Sequence, residues 1–147
     1  MREGIFLYFV LGESVMIKDT MKIRVYYEDT DCGNVVYYAN YLKYMERGRT
    51  ELMRGLGITF AQFHDQGFRF VVTDVSLKYH ASAYYDEHLD METSVKELTP
   101  VTITFHTVIT NPKGATLLTG DAKVACVNTE GKLKRMPKEI VEKLSKD

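Results

Sequence analysis

The sequence has few of the residues that form disulfide cross-links or structural metal sites. It has no tryptophan, three prolines and only two cysteines, Cys32 and Cys126. Two cysteines cannot form the disulfide framework of a small secreted domain or the four-cysteine cluster of a zinc ribbon. The 19 basic and 20 acidic side chains leave a formal net charge of −1. No overall field therefore attracts the chain to nucleic acid or to an anionic membrane.

The sequence also lacks the short motifs of metal and nucleotide sites. Its histidines stand at positions 64, 80, 88 and 106, and none has a second histidine four residues away. No HExxH or CxxC pattern and no glycine-rich phosphate loop is present. We therefore expect no metal ion and no cofactor. Among the histidines, His80 is the candidate for a place in a pocket, because it follows an apolar strand pattern at the edge of the predicted sheet.

No hydrophobic run is long enough to span a membrane. The apolar residues 5–11 follow Arg2, whereas a spanning helix needs about 20 apolar residues. The run predicts an added strand or packed arm, with a targeting signal as the alternative. We therefore expect one domain over residues 1–147, with an extension at 1–19, a core at 20–138 and a cytoplasmic location.

The first half of the core predicts a strand, a loop and one long helix. Met21, Ile23, Val25 and Tyr27 alternate with polar residues, as in a half-buried strand. A polar loop covers residues 28–34, and from Asn40, the predicted N-cap, the apolar period becomes helical until Gly57. The predicted buried stripe consists of Leu42, Met45, Leu52 and Leu56. Gly48 in its middle predicts a close approach of this helix to a sheet.

The second half predicts four strands joined by short turns. They cover residues 69–79, 89–97, 101–110 and 116–127, and the first places Val71 on one face with Val75, Leu77 and Tyr79. A short helix at 137–145 closes the chain. The order β-α-β-β-β-β predicts an α+β fold with a mostly antiparallel five-stranded sheet around one long helix. Because several strands are apolar on both faces, we expect a homo-oligomer.

The candidate for chemistry is an acidic loop directly before the long helix. Glu28, Asp29 and Asp31 lie within four residues, beside several tyrosines. A helix N-terminus favours negative charge, and its free N–H groups can hold an oxyanion. A carboxylate and an oxyanion site together are what acyl transfer needs. The alternative is an acidic loop that only caps the helix. Cys32 is a poor candidate for a nucleophile, since no histidine is near it in sequence.

This loop resembles the signature of a known enzyme family. The segments RVYYEDTDCGNVVYYANY at residues 24–41, ERGRTE at 46–51 and YHASAYYDE at 79–87 are similar to the 4-hydroxybenzoyl-CoA thioesterase family, and most similar to its YbgC-type acyl-CoA thioesterases. The resemblance covers about residues 20–138. It implies the hotdog fold, in which a sheet wraps a central helix, and assembly as a dimer or a homotetramer. The implied activity is hydrolysis of an acyl-CoA thioester to a free acid and coenzyme A.

The resemblance also implies roles for single residues. Asp31 matches the catalytic aspartate, as nucleophile or general base, and the backbone N–H of Tyr38 matches the donor that polarises the carbonyl. Further substrate contacts are expected from the following residues: Asn34, Tyr37, Asn40 and Tyr41 in the loop, and Lys134 and Arg135 in a basic cluster suited to phosphate. The alternative for the basic cluster is a solvated turn.

Three positions depart from the family pattern. Asn34 stands where glycine is usual, although asparagine also tolerates a left-handed backbone. Tyr38 replaces a histidine that is frequent in YbgC-type members, and Ser82 replaces a proline. The departure at Tyr38 keeps open a second reading, a non-catalytic protein that binds acyl-CoA or acyl carrier protein on the same fold. The acyl group, the carrier and the number of subunits are left undetermined.

Overall fold

The computed structural model describes residues 9–11 and 14–145. The seven strands are β1 (Phe9–Leu11), β2 (Ser14–Met16), β3 (Lys18–Arg24), β4 (Arg69–Tyr79), β5 (His88–Leu98), β6 (Thr102–Thr110) and β7 (Thr116–Val127). The two α-helices are α1 (Asn40–Gly55) and α2 (Lys138–Leu144), and 3-10 segments cover Tyr27–Asp29 and Phe60–Gln66. Most of the predicted extension at 1–19 lies outside the described residues; its described part forms the antiparallel pair β1–β2 and the start of β3.

The larger sheet has five antiparallel strands in the order β3-β5-β6-β7-β4. Helix α1 crosses the inner face of this sheet, because most of the inward residues of that face are apolar. Leu89, Met91, Ile103, Phe105 and Ile109 are all at most 1% exposed there. The predicted α+β fold, with five antiparallel strands around one long helix, is confirmed.

The helix meets the sheet on a stripe that differs from the predicted one. The buried residues of α1 are Tyr41, Tyr44, Met45, Gly48, Leu52 and Met53, whereas Leu42 is 42% exposed. The prediction for Leu42 is wrong because Tyr41 and Tyr44, with larger apolar surfaces, take the inward positions on either side of it. The predicted stop is confirmed: Gly57 has φ +79° and its N–H donates to the carbonyl of Arg54 at 2.9 Å.

Gly48 lies where the helix and sheet are closest. A Cβ at this position would lie 2.7 Å from Met91 Cε and would also clash with Thr93 Oγ1. The close approach predicted for Gly48 is therefore confirmed. Only a glycine lets the α1 backbone pack directly on β5 without displacing these two side chains.

A bulge in β4 changes the predicted face of Val71. The pairing with β7 shifts between Val72 and Asp74, which leaves Thr73 as an extra residue. As a result Val72, and not Val71, shares a face with Val75 and Leu77. Alternation counted along the sequence cannot find this, because an inserted residue reverses the face of everything on one side of it.

Candidate active site

The acidic loop is a short, tightly hydrogen-bonded excursion between β3 and α1. Isolated bridges pair Thr30 with Val36 and Val35 with Tyr84. The N–H of Asp31 donates to the carbonyl of Val35 at 3.0 Å, and Asn34 turns the chain with φ +63°. The left-handed conformation expected at Asn34 is therefore present. This turn holds Asp31 at a fixed place beside the start of the helix.

Asp31 itself is exposed, and one of its oxygens is already used by the loop. Its Oδ1 accepts the N–H of Gly33 at 2.8 Å, which is the local side-chain-to-backbone bond typical of aspartate in turns. The second oxygen, Oδ2, has no hydrogen bond within the described part of the chain. The carboxylate is thus oriented by one oxygen and can act with the other.

Of the other two carboxylates of the loop, Asp29 holds the loop together and Glu28 is exposed. Residues 27–29 form a 3-10 segment, so the strand alternation expected to continue through Tyr27 is wrong. Asp29 Oδ2 accepts the N–H of Tyr26 at 2.9 Å, and the Asp29 carbonyl accepts the side-chain amide of Asn40 at 2.8 Å. Asp31 is consequently the carboxylate of this loop that is placed for chemistry.

The backbone just before α1 carries a free donor, the N–H of Tyr38. The N-cap is Ala39 rather than Asn40, so the predicted N-cap is wrong: the Asn40 side chain reaches back to Asp29. Within residues 9–11 and 14–145, no acceptor pairs with the N–H of Tyr38. An unpaired N–H next to the positive end of a helix is suited to an anion or a developing oxyanion.

Asp31 and Tyr38 line the same open cavity, which has a volume of about 360 Å³. Its other walls are Val35, Val36, Tyr41, Tyr79, His80, Ala81 and Ser82. The Tyr79 hydroxyl donates to the carbonyl of Tyr38 at 2.9 Å, and the rings of Tyr79 and Tyr41 meet edge to face. Burial raises the pKa of Tyr41 and of Tyr79, so both phenols stay neutral near pH 7. Asp31 is the one carboxylate among these lining residues.

Tyr79 and His80 join the site from a distant part of the sequence. They stand at the end of β4, where the N–H of His80 donates to the carbonyl of Leu117 at 2.8 Å. The His80 ring lies 3.0 Å from Thr119 Oγ1. A pocket position for His80 was expected from the sequence. Tyr79 was missed as a site residue, because its place in an alternating strand gave only a packing signal.

The remaining predicted site residues divide into two groups. Asn34, Tyr37 and Asn40 lie in or beside the Asp31 loop, and Tyr41 is buried against the cavity. Lys134 lies elsewhere: its N–H donates to Cys126, nine residues of β7 beyond Leu117, and thus about 30 Å along the strand from His80. Arg135 lines a different cavity next to α2. Within one chain, Lys134 and Arg135 are not brought to Asp31.

The two cysteines are free thiols in different environments. Cys32 is exposed in the loop, and Cys126 is buried in β7, where burial raises the pKa of its thiol. At this position the side chain of Cys126 packs in the sheet. Among the described residues there is no cluster of three or more histidine, cysteine or carboxylate side chains that could hold a metal ion, and no helix is long and apolar enough to cross a membrane.

A sheet wrapped around one helix, with a carboxylate loop at the helix N-terminus, defines a class of protein. The chain belongs to the Thioesterase-like superfamily, whose family model matches residues 25–144. The predicted resemblance, the hotdog fold and the enzyme class of thioesterase are confirmed.

Individual relatives give the comparison more detail. The acyl-CoA thioesterase YbgC of Haemophilus influenzae is 42% identical over 123 residues, covering 80% of this chain and 88% of the relative. The acyl-CoA thioester hydrolase YbgC of Escherichia coli O6:H1 is 34% identical over 120 residues, covering 81% and 90%. Among solved structures, the DHNA-CoA thioesterase of Staphylococcus aureus superposes with a TM-score of 0.80 at 26% identity, covering 85% of each chain.

Proposed function

We propose that this protein hydrolyses acyl-CoA thioesters, with Asp31 as the catalytic carboxylate. The support from relatives is that two of them, 34% and 42% identical, bear the names of acyl-CoA thioesterases. The observation that carries the proposal is local: Asp31 and Tyr38 line the same cavity, and the N–H of Tyr38 has no acceptor among the described residues. This pairs the group that starts the reaction with a group that stabilises its charge.

The chemistry follows from these two groups. The thioester carbonyl oxygen accepts the Tyr38 N–H, which polarises the carbon. As general base, Asp31 takes a proton from water while the hydroxide oxygen bonds to the carbonyl carbon. The tetrahedral intermediate then expels the coenzyme A thiolate, which takes up a proton. As nucleophile, Asp31 instead attacks the carbonyl carbon, the C–S bond breaks and the coenzyme A thiolate leaves, and water then hydrolyses the mixed anhydride to the free acid and the Asp31 carboxylate. Both routes use the free Oδ2, and neither needs a cofactor beyond the substrate's own coenzyme A.

Replacing Asp31 by asparagine is the direct test. Asparagine keeps an oxygen for the Gly33 N–H, so the loop is expected to keep its shape while the base is lost. We expect thiol release from acyl-CoA substrates to fall by a factor of about 10² to 10⁴. Glu28→Gln is the matched control, since it makes the same change at an exposed carboxylate of the same loop that does not line the cavity.

The assay also has outcomes that contradict the proposal. Turnover that survives in a folded Asp31→Asn variant would support the proposed hydrolysis but would contradict the catalytic role of Asp31. Binding of acyl-CoA without turnover, in the wild-type protein, would favour the non-catalytic binding protein. If the protein hydrolysed only thioesters of acyl carrier protein, the substrate would carry its acyl group on that protein and not on coenzyme A.

We also propose that the protein is a homo-oligomer built on β4. This strand is at the edge of the sheet and is 11 residues long, with Val71, Val72 and Val75 each 42–46% exposed. A long apolar edge is a surface that proteins cover. If two β4 strands pair antiparallel about a two-fold axis, the Arg69 end of one copy lies beside the Tyr79 end of the other. The predicted substrate contacts of Lys134 and Arg135 would then be made between subunits.

A further inference from the structure

The walls of the Asp31 cavity contain a group of tyrosine rings. Tyr38, Tyr41 and Tyr79 line it together with Asp31, and Tyr38 is 62% and Tyr79 46% exposed. The two proposed routes of hydrolysis use the backbone N–H of Tyr38 and the carboxylate of Asp31, but none of the three rings. The rings of Tyr38 and Tyr79 therefore present open aromatic surface beside the place where the acyl group must lie.

The three rings stand at steep angles to one another. The ring centroids of Tyr38 and Tyr79 are 6.5 Å apart with an interplanar angle of 75°, and those of Tyr41 and Tyr79 are 5.6 Å apart at 68°. The Tyr79 hydroxyl holds this arrangement, because it donates to the carbonyl of Tyr38 at 2.9 Å. Two rings at nearly a right angle can both lie within about 6 Å of one small group, as in the aromatic cages that bind quaternary ammonium ions.

The charges around the cavity favour a cation. The face of an aromatic ring is the negative part of its quadrupole, and Asp31 adds a carboxylate to the residues of the wall. Among the described residues that line the cavity there is no lysine or arginine. The ring of His80, which also lines it, has its Nε2 3.0 Å from Thr119 Oγ1. A quaternary ammonium ion has no N–H group that needs an acceptor, so rings and one carboxylate are sufficient to hold it.

The rings lie close to the reacting carbonyl. Tyr38 supplies both one ring of the group and the N–H that the proposed mechanism directs at the thioester oxygen. A charge only a few bonds beyond the carbonyl carbon can therefore reach the rings. The cavity volume of about 360 Å³ is at the small end of ligand sites, which favours a short acyl chain with a compact head group. The cations expected from a partner subunit, Lys134 and Arg135, are assigned to the phosphates at the far end of coenzyme A.

We propose that the acyl group of the substrate carries a quaternary ammonium ion, which the rings of Tyr38, Tyr41 and Tyr79 hold beside Asp31. The inference rests on the proposed function, because it names the substrate class for the same site. Hydrolysis then adds water across the C–S bond. Its products are coenzyme A and a zwitterion, in which the new carboxylate is joined to a permanent positive charge.

Two thioesters of the same shape test this substrate class. 4-Trimethylammoniobutanoyl-CoA and 5,5-dimethylhexanoyl-CoA differ only in a nitrogen in place of a carbon, and hence in one charge. For the wild-type protein, we expect kcat/KM to be about tenfold higher for the cationic thioester. Tyr79→Leu should reduce this ratio severalfold, and so should Tyr38→Leu, which keeps the backbone N–H. Tyr79→Phe keeps the ring and should keep the ratio. Tyr85→Leu is the matched control, since this exposed tyrosine does not line the cavity.

A second readout needs no turnover and no variant. Choline and its neutral isostere 3,3-dimethylbutanol do not react, and their binding to the full chain is compared by proton NMR titration. We expect choline to bind the wild-type protein more tightly than the isostere, and Tyr79→Leu to weaken choline binding.

Several outcomes would overturn the proposal. A kcat/KM ratio near or below one in the wild-type protein would reject the cationic substrate and leave the proposed hydrolysis intact. A ratio that is unchanged in both leucine variants, or that falls equally in Tyr85→Leu, would remove the rings from recognition. Choline binding without turnover of any acyl-CoA would support the ring site while rejecting the proposed function, so the two failures are distinguishable.

Discussion

Gly48→Ala tests whether the contact between α1 and the sheet has the geometry described above. In an exposed helix this substitution stabilises by up to about 1 kcal/mol, because alanine has the higher helix propensity. At Gly48 the new methyl group would lie 2.7 Å from Met91 Cε and would clash with Thr93 Oγ1. Ordinary carbon contacts are about 3.5–4.0 Å apart, so the helix or both side chains must move by roughly 1 Å.

The expected net effect is a loss of stability. Overpacking of a core costs about 1–3 kcal/mol, from which the gain in helix propensity is subtracted. We therefore expect Gly48→Ala to lower the free energy of unfolding by about 1–2 kcal/mol. Met91 can rotate its flexible thioether away, which makes Thr93 the neighbour that decides the size of the effect. Urea unfolding followed by circular dichroism, at one fixed protein concentration, measures it.

Two further variants make the measurement decisive. Gly55→Ala is the same substitution at an exposed position of the same helix and is expected to be neutral or slightly stabilising. Thr93→Ala removes a buried hydroxyl that has no hydrogen-bond partner among the described residues, so it makes room without breaking a bond seen there. In the double variant Gly48→Ala/Thr93→Ala, we expect part of the loss in the free energy of unfolding caused by Gly48→Ala to be recovered. The expected coupling energy between the two substitutions is about 1 kcal/mol. A Gly48→Ala protein as stable as Gly55→Ala would refute the close approach.

Two other predictions concern the outer face of the sheet and the β4 edge. Burial raises the pKa of Asp121, but hydrogen bonds from Lys96 and His106, each at 2.6 Å, outweigh it and lower the pKa overall. The stability contributed by Asp121 is thus present above its unfolded pKa, near 4, and is lost as pH falls through the lower folded value. Asp121→Asn should cost about 1 kcal/mol at pH 7 and less at pH 3 in urea unfolding; an equal deficit at both would contradict this assignment. Val75→Lys should reduce the mass measured by light scattering, whereas Leu42→Lys, at similar exposure on α1, should not; a wild-type monomer would reject the oligomer.

The periodic parts of the sequence were sufficient to predict most elements. The strand at 69–79 and the strand at 116–127 have the predicted bounds, and α1 begins within one residue of the predicted start. These segments bury one face, so the position of each apolar residue along the chain carries the information. The Asp31 loop was also found from sequence, because three carboxylates before a helix, among tyrosines, are not what a solvated loop requires.

Other features depend on neighbours that are distant in sequence. The bulge at Thr73 reverses the face of Val71, and the exposed position of Leu42 follows from the tyrosines that take its place against the sheet. Neither the bulge nor the exposure of Leu42 can be recognised from the spacing of apolar residues in the sequence. The sequence spacing also gives no sign that Tyr79 and His80 line a cavity with Asp31, because this depends on the pairing of β4 with β7.

The sequence alone thus determined the order of elements, the need for a close approach at Gly48 and the acidic loop in which the family resemblance singles out Asp31. Those properties are local, since each depends on residue type and spacing within one segment. The tertiary structure decided which distant groups share a cavity: Tyr79 and His80 with Asp31. It also separated Lys134 from Asp31 within one chain. The physical reason is that cavities form between elements, where strand pairing and helix packing, rather than sequence spacing, set the distances.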